Sequence, residues 1–245
     1  MSRRRRVATA LAYGALNHGL FLVAISAMVA ALYSGLRTGI GPFRGTHAWA
    51  ANALLLAQFP LIHSYLLSSG GRAWLMKLAP REFARDLTPT IFTIVASLQV
   101  LATFALWSPS GTTLYEASGG LLWLSRAAFA ASWMFLIKAL YDAGLAVQTG
   151  YIGWLSVLRG ERPRFGEFPT HGLFRRCRQP VYLAFALTLW TGPVHTLDGL
   201  VLALTWTVYC AAAPLHKELR YLSLYGERFS RYRADVPYIL PRIRP

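Results

Sequence analysis

A few side chains have types and spacing that could do chemistry. Arg178, Gln179 and Tyr182 end the basic run Phe174-Arg175-Arg176-Cys177-Arg178-Gln179-Pro180-Val181-Tyr182, and Glu218 follows beyond an apolar stretch. A guanidinium pairs bidentately with a carboxylate. A carboxylate holds amino or hydroxyl groups, and amide and phenol groups both donate and accept. Together these groups suit a polar ligand that carries both charges. His63 sits inside an apolar run, where an ionisable side chain is a functional candidate by default. It could take a proton from a bound nucleophile and so activate it.

Each of these residues also has a plainer reading. Arg178 can join Arg175 and Arg176 in a belt of surface cations, and Tyr182 can be an interfacial aromatic. Glu218 can pair at the surface with Lys217 or Arg220, an interaction usually worth little. His63 can be a neutral ring bonded to a helix carbonyl. Cys177 lies between two arginines, which lower a thiol pKa; it reads as a reactive thiol or as a bystander. Cys210 lies in an apolar span and reads as a small buried side chain.

The elements that must position these residues are membrane elements. The chain is 55% hydrophobic with a net charge of +15, and its apolar runs approach twenty residues, the length that crosses a bilayer. The basic residues fall in short clusters between those runs. That pattern points to membrane topology and away from nucleic acid, which needs a basic patch on one soluble face. Two cysteines make neither a disulfide framework nor a metal cluster.

Read in order, Arg3 to Arg6 precede a first span over 7–33, too long for a signal peptide. A turn-rich loop over 34–45 leads to a second span at 46–68, interrupted by Pro60 and carrying His63. Residues 70–86 are basic, with Trp74, and suit a surface helix. A third span covers 87–107 and a fourth 119–147. In the fourth, Lys138 and Asp142 are four apart and face each other, while Arg126 can snorkel to the near end. A polar connector over 148–169 reaches the basic run. Pro180 then opens a helix, and 181–191 and 197–213 form an apolar hairpin folded at Gly192-Pro193. A charged tail helix runs from His216 towards Tyr232.

The expected fold is therefore an all-α polytopic integral membrane protein of about six transmembrane helices, with a C-terminal helical hairpin and a cytoplasmic tail helix. It forms a single membrane domain over 1–245, with a four-span bundle at 1–147 and the loop, hairpin and tail helix at 148–245. The segments placed inside hold most of the arginines and lysines, and the outer loops hold only Arg37 and Arg44. That bias puts both termini in the cytoplasm, with the bacterial inner membrane as the expected location and the lipid bilayer as the constant partner.

The order Gly172-x-Phe174-Arg175-x-x-Arg178-Gln179-Pro180-x-Tyr182, a hairpin, then Glu218-Leu219-x-x-Leu222-x-x-x-Gly226-x-x-Phe229-x-x-Tyr232-x-x-x-Val236-Pro237 resembles the isoprenylcysteine carboxyl methyltransferase superfamily, most closely its methanethiol S-methyltransferase branch. The likeness extends to Leu54-Leu55-Leu56 with His63-Ser64, and to Trp107-Ser108-Pro109. It implies S-adenosylmethionine as cofactor and a small or lipophilic thiol as acceptor. By the same resemblance, Arg178, Gln179, Pro180, Tyr182 and Glu218 contribute to the cofactor site, with His63 as the candidate catalytic base. Three positions depart from the family pattern. Gln179 replaces a histidine, Lys217 the first of two glutamates, and Ala184 a glycine. A haem protein using His18 and His63, and a non-catalytic membrane subunit that keeps the fold, are the alternatives from other functional classes.

Overall fold

The computed structural model describes residues 2–241; Met1 and residues 242–245, with Arg242 and Arg244 of the expected basic tail, lie outside the described residues. The helices are α1 (Arg3–Tyr33), α2 (Gly45–Leu66), α3 (Ser69–Met76), α4 (Ala84–Ala105), α5 (Gly119–Asp142), α6 (Leu145–Gln148), α7 (Tyr151–Arg159), α8 (Pro180–Trp190), α9 (Leu197–Tyr225) and α10 (Glu227–Asp235). Two short strands, β1 (Thr113–Glu116) and β2 (Val194–Thr196), and a 3-10 turn at Gly172–Arg175 complete the order.

The chain is mostly helical, and α1, α4, α5 and α9 are each long and apolar enough to cross a bilayer. A fifth span results if α2 and α3, which meet at 90°, count as one. At 11 residues, α8 rises about 16 Å at 1.5 Å per residue, about half of a hydrocarbon core.

The tail differs from the reading by sequence. The second arm of the apolar hairpin and the start of the charged helix are one helix, α9, running through Pro214. A proline removes one hydrogen bond, and in apolar surroundings no water competes for the bonds that remain. The break comes instead at Gly226, whose φ of 52° separates α9 from α10.

The chain divides into two compact units. The first comprises Met1–Ala31, Arg37–Ser110 and Leu145–Phe165. Its core gathers Ala10, Leu66, Leu75, Phe83, Leu87, Ile91 and Val157. Polar groups pin α7 to α4: the Thr90 hydroxyl donates to the Gly150 carbonyl at 2.7 Å and accepts from the Trp154 N–H at 2.9 Å.

The second unit comprises Leu32–Leu36, Gly111–Gly144 and Gly166–Pro245. Ala139 of α5 and Ala184 of α8 are fully buried against each other's helices with Leu136, and small residues of this kind let helix backbones approach closely. β1 and β2 pair antiparallel, Tyr115 opposite His195, so the loop before α5 and the turn between α8 and α9 share one end of the unit. At the other end Asp142 accepts from Lys138, the expected partner four residues back, and from the Leu173 N–H at 2.9 Å. Gly172, with φ of 56°, lies so close that a Cβ there would meet the Asp142 carboxylate. The basic run is thereby seated on the end of α5.

Candidate functional site

Arg178, Gln179, Lys217 and Glu218 converge in the second unit. Pro180 takes the first position of α8, where its missing N–H costs no helix bond. The residue before a proline is steered out of the helical region, and Gln179 accordingly has φ −124° and ψ 49°. Its side chain, 1% exposed, points between the two residues that lead the charged half of α9.

The four side chains form one chain of hydrogen bonds. Glu218, 4% exposed, accepts from Arg178 Nε at 2.8 Å, Arg178 Nη2 at 3.3 Å and Gln179 Nε2 at 2.8 Å. Arg233 Nε approaches the same carboxylate at 3.7 Å. Lys217 Nζ donates to Gln179 Oε1 at 2.5 Å. Chemistry fixes the amide's orientation, because a carboxylate accepts only from its NH2 and an ammonium donates only to its oxygen.

Residues 232–238 close over this network. The backbone N–H groups of Arg178 and Gln179 donate to the carbonyls of Pro237 and Tyr238 at 2.9 and 3.1 Å. Arg178 Nη1 donates to the carbonyls of Arg233 and Val236, and its guanidinium lies 5.5 Å from the Tyr238 ring. The Tyr232 hydroxyl donates to the Phe174 carbonyl and the Tyr238 hydroxyl to that of Ala211, each at 2.7 Å. Residues 233–238, with Val236-Pro237 at their centre, thus form a strap whose carbonyls hold Arg178 and Gln179. Phe168, from the loop before the basic run, is buried among Tyr221, Tyr225, Phe229 and Tyr232, with ring centroids 4.9–5.9 Å away.

Tyr182 lies one turn into α8, its ring 5.2 Å from Lys217 Nζ. Its hydroxyl makes no hydrogen bond among the described residues. Arg175 and Arg176 are exposed, as surface cations would be. Cys177 is buried, and burial raises its thiol pKa despite the flanking arginines. It is held as a neutral thiol, the bystander of the two readings.

His63 belongs to the first unit. Its ring stacks on Phe59 and tilts against Phe92, both at 4.8 Å, and its Nδ1 is buried without a hydrogen-bond partner. A bond to a helix carbonyl through that nitrogen is therefore not what the structure shows. His18 accepts from Trp154 Nε1 through Nε2 at 3.1 Å, so the lone pair that would ligate an iron is engaged. Among the described residues no group of three His, Cys, Asp or Glu side chains could hold a metal ion.

The cluster's members to which sequence reasoning gave no part in the site are Lys217, Arg233 and Tyr238, while Tyr232 stood there only as a motif position. Lys217 counts there only as a surface partner for Glu218 and as a lost glutamate. Its helical spacing from Tyr221, four residues on, was the available signal that it faces the site.

Comparison with known proteins agrees with the tail motif. The chain is similar to methanethiol S-methyltransferases. It is 26% identical over 245 residues to the enzyme so named in Mycobacterium tuberculosis, covering 94% of each chain. It is 25% identical over 198 residues to that of Pseudomonas deceptionensis, covering 80% of this chain and 74% of that protein. With that of Crocosphaera subtropica it shares 27% identity over 195 residues, 77% of this chain and 73% of the relative. No protein-family model matches the chain, and no solved structure matches it.

Proposed function

We propose that this chain is an S-adenosylmethionine-dependent membrane methyltransferase that moves a methyl group to a small or lipophilic thiol. Similarity across nearly the whole of a methanethiol S-methyltransferase carries the reading, and the tail cluster gives it a place. Two cations, one carboxylate, a bridging amide and an unbonded tyrosine hydroxyl fit in kind a ligand with a carboxylate, an ammonium and ribose hydroxyls. When bound, that cofactor supplies an electrophilic methyl group on a sulfonium.

The chain's own residues have two tasks. Arg178, Gln179, Pro180, Tyr182 and Glu218 shape and charge the cofactor site, and the apolar faces of α8 and α9 admit an apolar acceptor. Displacement needs the acceptor sulfur in line about 3–3.5 Å from the methyl carbon. It also needs a thiolate, and His63 is proposed for the thiol proton on the motif resemblance alone.

Isothermal titration of the purified protein in detergent and in nanodiscs tests the reading. S-adenosylmethionine should bind, S-adenosylhomocysteine should compete, and supplied methanethiol should yield dimethyl sulfide. No heat and no competition would leave a non-catalytic membrane protein of the same fold.

The proposed setting is a bacterial inner membrane with six crossings, the α8–α9 hairpin counted as two, and both termini in the cytoplasm. Charge bias supports it, as does the pairing of β1 with β2, which joins two segments assigned to the outer side. Single cysteines at Ser110 and Asp198 should label from outside, and those at Gln148 and Tyr238 from inside, in a background lacking both native cysteines. Labelling of positions 148 and 198 from the same side would sink the six-crossing arrangement.

A further inference from the structure

Two cations border Gln179, and they are not equivalent. A guanidinium has five N–H donors, and Arg178 commits four of them, to both oxygens of Glu218 and to the carbonyls of Arg233 and Val236. Its side chain is 10% exposed. To grip a ligand carboxylate in a fork, Arg178 would have to release Glu218 and leave a buried carboxylate without its cation. Exchanging one carboxylate for another in this way gains nothing.

Lys217 is differently placed. Among the described residues its ammonium makes a single hydrogen bond, to Gln179 Oε1, and it lies over the rings of Tyr182 and Tyr221 at 5.2 and 6.0 Å. Among the described residues no carboxylate pairs with it; Glu218, the next residue, is turned to Arg178. An ammonium has three donors, so two remain for a ligand. Beside them stands the unbonded Tyr182 hydroxyl. An ammonium held against two ring faces and an amide oxygen, with donors to spare, is a receptor for an anion.

We propose that Lys217, and not Arg178, receives the carboxylate of the cofactor's methionine part, with Arg178 acting as the positioning residue that holds Glu218 and, through it, Gln179. The lysine that departs from the family's pair of glutamates thereby takes a binding role of its own. The inference rests on the methyltransferase reading above.

Its test uses two ligands that differ only in that carboxylate, S-adenosylmethionine and decarboxylated S-adenosylmethionine, titrated into the full-length protein in detergent. The native protein should prefer the carboxylate form. Lys217→Met should lower affinity for that form about tenfold, the usual effect of losing a charge-assisted hydrogen bond, and should not weaken the decarboxylated form. Lys217→Arg should retain most of the preference. If Lys217→Met does not fold, Lys217→Gln carries the same expectation. Preference left intact in the neutral variants, or absent from the native protein, overturns the proposal while the methyltransferase reading stands. Failure of the native protein to bind either ligand or S-adenosylhomocysteine overturns both.

Discussion

Glu218→Gln should destabilise the protein by about 3–5 kcal/mol, the range for removing one partner of a buried ion pair. The carboxylate is the anion for Arg178, whose side chain is 10% exposed against 5% for Glu218, so solvent screening is slight. The neutral variant leaves the guanidinium facing an amide, and the amide can accept at one atom where the carboxylate accepts at two. The strap then loosens, because Arg178 also holds the carbonyls of Arg233 and Val236. The measurement is a fall in Tm in detergent, with easier proteolysis near 236–241. Replacing both partners, Arg178→Met with Glu218→Met, should recover much of the loss, since apolar residues of similar size often substitute well for a buried pair. An unchanged Tm in Glu218→Gln would show that the pair does not hold the tail. Cofactor titration of the double variant separates two roles. Retained binding would make the pair structural; lost binding in a stable protein would place the pair itself on the ligand.

The four helices able to cross a bilayer were legible because each is a long apolar run, and the Lys138–Asp142 pair was legible because helical spacing puts the two residues on one face. The β1–β2 ladder was not. Its strands are three and four residues long, and β1 is exposed along its length, so neither carries an alternating burial signal. The continuity of α9 through Pro214 was hidden for another reason. Proline reads as a stop in water, but the rest of the ladder persists where water is scarce. Residue types at the candidate site were visible in the motif, while their partners were not. Arg178 and Glu218 meet across 40 residues of chain, and no spacing rule links a turn to the far half of a helix that follows a hairpin. Gln179 and Lys217 looked like two separate losses. In the folded chain they are the acceptor and the donor of one bond.

That bond makes the second large prediction a matter of coupling. Gln179→His removes the oxygen that accepts from Lys217 and brings a ring that repels the ammonium once protonated. Lys217→Glu sets a second carboxylate beside Glu218, and the Gln179 oxygen, which faced the ammonium, then meets an acceptor. Each single variant should therefore lose stability. The double variant places a histidine between two carboxylates, and a protonated imidazole donates from both nitrogens. It should recover part of what the singles lose, with an interaction energy of about 0.5–3 kcal/mol, the span found for residues in one network. A double-mutant cycle on detergent-solubilised protein, read by Tm at a pH near 6 and again near 8, measures it. Recovery should be larger at the lower pH, where the imidazole is charged; a group whose folded pKa is raised contributes below that pKa and stops contributing above it. Strict additivity at both pH values would mean that Gln179 and Lys217 do not act as a pair.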